Sequence, residues 1–494
     1  MLDHLSATDH EIRSYFAKPA GLGFAGKLLK EKRRKSLAEL LGYAAAIESC
    51  LATTGRSSGF SGYFEEFKAL RASIAFQVWA SPAAYHWNAM ARMLLDAKLH
   101  SIIPAGILRE YLEFLNLDLE QGLNAHLNDF GRFILSARIL SRREARLDVP
   151  VSIRLPSALP GTGIALFAHQ NERRTISVSC LDQSTVDHLV AARDYSEGRG
   201  TVVFESADGY EVTAGKMPRW KGLNGDILID AFEPCLNLPY IEGFPRGQAR
   251  DQSVRFLKVI ESGLDRLAKY NPALVDEIGL LTASITPMDT TMVDAEMCSG
   301  TSSAIFGGCF LALTNEPLYL AEMLLHEFCH NKLRLFEEVF PLLRPESINN
   351  VQYYSPWRDE PRPLEGIQHG LFVFGSIAFF WLSIWNDIGA TQRERTLAQR
   401  RVATLLHQLK YASAEFCRHA HVTDYGRVFV DEIGDWIVHL EEEIAGWDLR
   451  QVLPFFSGVL ADRSLKMIPL VEALFQHRSN WERLYRAGGY GQIG

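Results

Sequence analysis

Two histidines four residues apart constrain this chain more than any other feature. They lie in Leu324-Leu325-His326-Glu327-Phe328-Cys329-His330, where Leu318, Met323, Leu324 and Leu333 recur at helical spacing and predict one helix. On a helix, residues i and i+4 stack one turn apart on the same face, so both imidazoles can reach a single metal ion. Glu327 follows the first histidine and sits beside that face, where it could touch a metal-bound water. Residues 304–313 before the helix read as a strand, and Thr314-Asn315-Glu316-Pro317 supplies a cap candidate and an early proline. A His-Glu-x-x-His pair recurs by chance in many chains. Here its mid-helix position after a strand favours a metal site over two satisfied core histidines. Cys329 points away from the histidine face and is expected to be a buried, inert thiol.

A metal site needs a third ligand, and the best source lies downstream. Residues 353–363, Tyr-Tyr-Ser-Pro-Trp-Arg-Asp-Glu-Pro-Arg-Pro, read as a rigid, irregular loop. The loop leads into a helix that carries Glu365 and His369, again i and i+4. Both precede the most apolar stretch of the chain, residues 370–385, where an ionisable group is costly to bury unless paired or metal-bound. Glu365 would complete two histidines and a carboxylate, and His369 would give a three-histidine site. The plainer alternative is that the two pair with Arg358 or Arg362. Either arginine, fixed by prolines just ahead of the ligand helix, could hold a carboxylate bidentately. The apolar stretch is shorter than the ~20 residues a membrane span needs, which predicts a helix buried in a protein core.

The rest of the chain sets the frame. Its 494 residues imply more than one compact region. A mean hydropathy of -0.04 with 22% charged residues belongs to a soluble globular protein. A formal charge of -8 argues against nucleic acid as the main partner. The seven cysteines (50, 180, 235, 298, 309, 329 and 417) contain no Cys-x-x-Cys pair, which fits a reducing compartment, and no secretory signal opens the chain. A cytoplasmic location is expected, without membrane or nucleic-acid partners. Three textures follow one another: residues 1–145 helical, 146–247 β-rich, and 248–494 mainly helical with the metal-binding residues. The basic run Lys30-Glu31-Lys32-Arg33-Arg34-Lys35 reads as a solvated helix face. Thr201–Glu205 and Tyr210–Thr213 flank Ala207-Asp208-Gly209 as a hairpin. The expected fold class is α+β: a helical N-terminal part, a β-rich middle and a mainly helical catalytic part, with the histidine helix beside a small sheet.

Three segments together resemble a known family. They are Leu325-His326-Glu327-Phe328-Cys329-His330-Asn331-Lys332-Leu333, Ser355-Pro356-Trp357-Arg358, and Arg362-Pro363-Leu364-Glu365-Gly366-Ile367-Gln368-His369-Gly370. The family is that of the HExxH-motif peptide-modification proteins, iron- and 2-oxoglutarate-dependent peptide β-hydroxylases found beside ribosomally made peptide natural products. The resemblance implies Fe(II) held by His326, His330 and His369, with 2-oxoglutarate chelating the metal and O2 as cosubstrate. One of Arg358 and Arg362 would then hold the distal carboxylate of 2-oxoglutarate. The implied reaction is hydroxylation of a side-chain β-carbon in a precursor peptide, whose leader segment is a further candidate contact. The facial triad of two histidines and a carboxylate pulls instead towards Glu365, leaving it as alternative ligand or as a group behind the ligands.

Glu327 differs in role between readings. In the oxygenase it would orient a ligand or the substrate. The alternative is a zinc metallopeptidase of the gluzincin type, with His326, His330 and Glu365 on zinc and Glu327 as general base. That reading expects the cut peptide to pair along residues 306–313 by β-augmentation. A scaffold whose motif is purely structural is the third class.

Overall fold

The computed structural model describes residues 7–447, leaving aside 18–21, 55–58, 143–150, 156, 169–173, 179–180, 192–201, 231–249, 289–298, 313, 315, 350 and 359–360. Its secondary structure is α+β. The N-terminal part is helical: α1 (Asp9–Ala17), α2 (Leu22–Thr54), α3 (Phe60–Lys68), α4 (Ala72–Trp79), α5 (Pro82–Leu99), α6 (Gly106–Leu115), α7 (Leu119–Asp129) and α8 (Gly131–Leu140). The middle carries β1 (Val151–Leu155), β2 (Ser157–Leu159), β3 (Ile164–Ala168), β4 (Arg174–Val178), α9 (Gln183–Ala191), β5 (Val202–Glu205), β6 (Glu211–Lys216), β7 (Arg219–Lys221) and β8 (Asp226–Ile229). Then come α10 (Arg250–Tyr270), α11 (Pro272–Leu281), β9 (Ser284–Met288), β10 (Ser299–Gly300), β11 (Gly308–Ala312), α12 (Pro317–Glu337), α13 (Leu364–Asn386), α14 (Gln392–His419) and α15 (Asp424–Ile444). The expected C-terminal helical region is thus present to Ile444, while residues 448–494, with His477, lie outside the described residues, as do Asn315, Cys180, Cys235 and Cys298.

The chain divides into two compact units, each made of separate stretches of sequence. One unit comprises Met1–Leu28, Leu264–Glu277 and Ala321–Gly494; the other comprises Leu29–Gly263 and Ile278–Leu320. We call them the helical unit and the mixed unit.

In the mixed unit, Phe60, Trp79, Trp87 and Phe133 of α3, α4, α5 and α8 form an aromatic core with Phe130, which joins α7 to α8. Each such buried ring is worth on the order of 1.5–3 kcal/mol relative to exposure. A four-stranded antiparallel sheet runs in the order β2-β3-β6-β5, with the expected β5–β6 hairpin turning through Gly209 at φ +78. A five-stranded mixed sheet runs β10-β11-β9-β8-β7.

Two expectations need correction in this unit. The strand expected over 304–313 is confined to β11, because Ser302 caps a 3-10 turn at Ser303–Ile305 and Gly307 adopts φ +78. The basic run on α2 is not wholly solvated. Lys32 is buried, its ammonium 4.6 Å from the ring centroid of Phe306 and 5.1 Å from that of Tyr85, where the ring quadrupoles favour a cation.

The helical unit is built around α13. This helix is long and apolar enough to cross a membrane, the one such among the described residues, yet 72% of its most apolar window is buried inside the protein. It is a core helix, packed between α14 and α15. Gly375 lets it meet α15 closely, since a Cβ there would lie 2.5 Å from the Trp436 ring. Tyr15 and Phe16 of α1 add an aromatic cluster with Phe336, Phe372 and Phe429. Thr391 and Glu394 form a capping box that starts α14, a device worth about 1 kcal/mol.

Candidate metal centre

The residues that carry the sequence argument all belong to the helical unit, so their mutual geometry can be built from α12 and α13. Pro317 opens α12, and the Thr314 hydroxyl accepts the Glu316 N–H at 3.2 Å, satisfying one donor at the helix start. Along the helix, Glu322, His326, His330 and Glu337 form one polar stripe. Those spacings of four, four and seven keep the side chains on one face.

His326 and His330 face each other as the spacing predicts, their Nε2 atoms 3.2 Å apart. Nitrogens bound at about 2.1 Å to a shared metal stand about 3.0–3.4 Å apart, so this pair is spaced for one ion. His369, from the second turn of α13, stacks on His330 with ring centroids 5.3 Å apart and places its Nδ1 3.0 Å from His330 Nδ1. His330 therefore uses different nitrogens towards its two neighbours. Among the described residues no three His, Cys, Asp or Glu side chains converge as a ready metal cage. The donor set still suits a metal by chemistry: three imidazoles from two helices, assembled in a half-buried cluster.

Electrostatics keep the pair on α12 neutral. Burial, followed by the fields of Arg358 and Arg401, pushes His326 down to about 4. His330 is driven well below its ordinary value by burial first, then by His326, His369, Arg334 and Arg358. Neutral imidazole is the form that offers a lone pair to a metal.

Glu365 is exposed. Its companion His369 meets Glu337, which holds its Nε2 at 2.9 Å. The second oxygen of Glu337 accepts from the Gln368 amide. Glu337 escaped the sequence reading, although its position seven residues after His330 on the same face was the available signal.

The loop before α13 is pinned beside this cluster. Tyr353 and Arg362 close it with paired backbone hydrogen bonds of 2.7 and 3.0 Å, and Gln408 donates to the Pro356 carbonyl at 2.8 Å. Gly370 makes room for Trp357, whose ring atoms lie as near as 2.4 Å to where a Cβ would stand. Trp357 stacks on Phe374 at 4.9 Å, and Phe374 in turn packs edge-on against His326 at 5.3 Å. The separate segments noted in the sequence, Pro-Trp-Arg and His-Gly, are thus parts of one packing chain. Arg358 is exposed and makes no hydrogen bond or ion pair with another described residue, whereas Arg362 is half-buried.

Glu327 is buried, with Oε1 3.9 Å from His326 Nε2. Arg401 is the second residue that sequence reading missed. It pairs with buried Glu322, which also accepts the Trp381 indole N–H at 2.6 Å. On the other side of α12, Cys329 is buried and pushed up to about 12, chiefly by burial, in agreement with an inert thiol. Lys332, also on that side, bonds Glu277 at 3.0 Å, with both side chains buried.

No protein-family model matches this chain, and no curated protein is similar to it. The family resemblance rests on the three motif segments alone.

Proposed function

We propose that this chain is an iron(II)- and 2-oxoglutarate-dependent oxygenase that hydroxylates a side-chain β-carbon of a ribosomally synthesised precursor peptide. The observation that carries the reading is the gathering of His326, His330 and His369 from two helices into one half-buried cluster. His326, His330 and His369 would hold the iron. Bound iron and 2-oxoglutarate would supply the oxidising power: one oxygen atom of O2 enters the peptide, the other enters 2-oxoglutarate, which leaves as succinate and carbon dioxide.

The protein's own groups have distinct tasks. His326 and His330 stay neutral and offer lone pairs. Arg358, exposed beside the histidines on whose charge it acts, is better placed than half-buried Arg362 to bind the distal carboxylate of 2-oxoglutarate. Glu327, buried beside His326, orients that ligand. The substrate peptide is met in the cytoplasm, a setting that fits the free thiols of Cys329 and Cys417.

The peptidase reading has less support. Its zinc ligand, Glu365, is exposed. The strand it needs as a peptide template, β11, already pairs with β9 on one side and β10 on the other. Iron stoichiometry tests the choice of ligand. Glu365→Ala is expected to keep one iron per chain and His369→Ala to lose it; the reverse pattern would move support to the peptidase.

A further inference from the structure

The mixed unit has a cavity of its own, built from residues that the histidine cluster does not use. Its volume is about 510 Å³, within the roughly 300–1,000 Å³ of small-molecule sites. The joint between α4 and α5 forms one wall, the β2–β3 turn another, and the β7–β8 hairpin with the start of β9 a third. Gly161 and Gly163 shape the turn at φ +72 and +71, a left-handed backbone in which a side chain would be strained. A Cβ on Gly161 would also lie 2.6 Å from the Gln77 carbonyl oxygen, so the turn sits tightly on the end of α4. Asp226, Leu228 and Asp230 alternate along the third wall, and four strand steps of about 3.3 Å give it a length of about 13 Å.

Several polar groups of the lining are already engaged. Arg219 pairs with Asp226 at 3.3 Å and lies over the backbone of Gly163. The Thr162 hydroxyl donates to the Leu159 carbonyl, the Ser81 hydroxyl to that of Val78, and the Gln77 amide to that of Gly161. Asp230, buried at the far end, has a partner as well. Arg33 of α2 differs. It is half-buried, and its Nε is buried with no hydrogen-bond partner among the described residues. A buried donor left unpaired costs free energy, and a guanidinium costs more unless an anion meets it. The start of α5 faces the same space with Ser81, Pro82 and Ala83. The Ser81 side chain does not cap that helix, and no acidic residue stands in its first turn, so its positive end is uncompensated.

We propose that this cavity binds a small organic acid, whose carboxylate meets Arg33 and whose apolar body packs on Phe76, Leu159, Met217 and Leu228. Those four side chains supply apolar wall on three sides, and the guanidinium fork matches a planar carboxylate. The site is independent of the histidine cluster, so the loss of either leaves the other standing.

The test is a calorimetric titration of the full chain with octanoate, in the presence of EDTA so that no bound metal can anchor the acid. Octanol supplies the same body without the charge, and inorganic phosphate supplies charge without the body. Octanoate is expected to bind at one site per chain. Octanol is expected to bind about 10- to 100-fold more weakly, the worth of a charge-assisted hydrogen bond, and phosphate more weakly than octanoate. Arg33→Met keeps an apolar stem and is expected to lose the same factor for octanoate. Arg33→Lys, which keeps the charge and not the fork, should fall between the two, a rescue that separates recognition from a loss of folding. No binding of octanoate, equal binding of octanol, or unchanged affinity in Arg33→Met would overturn the proposal. Tighter binding of phosphate than of octanoate would overturn it too, by removing the apolar body from the ligand.

Discussion

Each compact unit buries histidines, and the two use them in opposite ways. In the mixed unit, His126 of α7 places Nε2 2.9 Å from the Trp87 carbonyl and stacks on the Trp87 ring at 5.0 Å. The Trp87 indole returns a hydrogen bond of 3.0 Å to the His126 carbonyl. This reciprocal pair is a joint between α5 and α7. In the helical unit, the imidazoles turn towards each other instead, His326 to His330 to His369, and the series ends on Glu337. A buried imidazole bonded to a backbone carbonyl satisfies a local polar group. Imidazoles that face one another satisfy no backbone group and gather ring nitrogens on two helices, an arrangement that ties side chains together rather than closing a local joint. Burial alone therefore does not mark a functional histidine; the identity of its partner does.

The sharpest way to break this contrast is to remove one histidine from each group. His326→Ala and His330→Ala are expected to abolish metal loading, measured as metal per chain, with little loss of stability. His126→Ala should leave metal loading intact and cost about 1–3 kcal/mol in a urea titration, the price of an unsatisfied buried partner. Full metal occupancy in either helical-unit variant would remove the distinction.

The reverse side of α12 offers the next largest effect. Lys332 and Glu277 form a buried ion pair, 3.0 Å apart, and the Tyr15 hydroxyl donates to the Lys332 carbonyl at 2.8 Å. Breaking such a pair from one side leaves a buried charge and typically costs about 3–5 kcal/mol. Lys332→Ala is expected to lose that much stability by urea denaturation, while Lys332→Ala with Glu277→Ala should recover part of it. A loss below about 1 kcal/mol for the single variant would show that the pair is not a structural pillar.

Acid sharpens the comparison for the mixed unit. Burial, with His126 and Arg132 nearby, holds His86 at about 3, and burial also lowers His126. Above the ordinary histidine value near 6.5 both folded and unfolded states are neutral and the shift has no effect. As pH falls below it, the unfolded chain takes up protons that the folded chain refuses. Stability therefore drops, by up to about 1.4 kcal/mol per pH unit for each histidine, and for His86 the loss continues to near pH 3. His86→Gln should flatten the urea midpoint between pH 6.5 and 4. A profile parallel to wild type would rule out that contribution.

The smallest expected change lies at the proposed cosubstrate arginine. Arg358→Ala should raise the concentration of 2-oxoglutarate needed for half-saturation by about 10- to 100-fold, the worth of a charge-assisted hydrogen bond. Arg362→Ala should change it much less. Equal effects would assign the carboxylate to neither residue alone.

Much of this was legible along the chain, for physical reasons. His326 and His330 are read directly because helical geometry fixes what four residues mean. The texture of helices and strands is equally local. Partners from distant segments were not legible. Glu337 was visible only as a carboxylate on the histidine face, and nothing local says that Gln368 and His369 would meet it. Arg401 reaches the centre from α14, through Glu322. Lys32 looks solvated within a run of charges until Tyr85 and Phe306 close over it. The exposure of Glu365 shows the same limit from the other direction: an apolar stretch following a residue does not bury that residue.

The central claim is that the three-histidine cluster holds iron and 2-oxoglutarate together. The direct measurement is the anaerobic visible spectrum of the Fe(II)-loaded chain before and after 2-oxoglutarate is added. The account predicts a new charge-transfer band, retained in Glu365→Ala and absent from His326→Ala. A wild-type chain that binds Fe(II) yet gives no band, or that retains tightly bound zinc as purified, would contradict it.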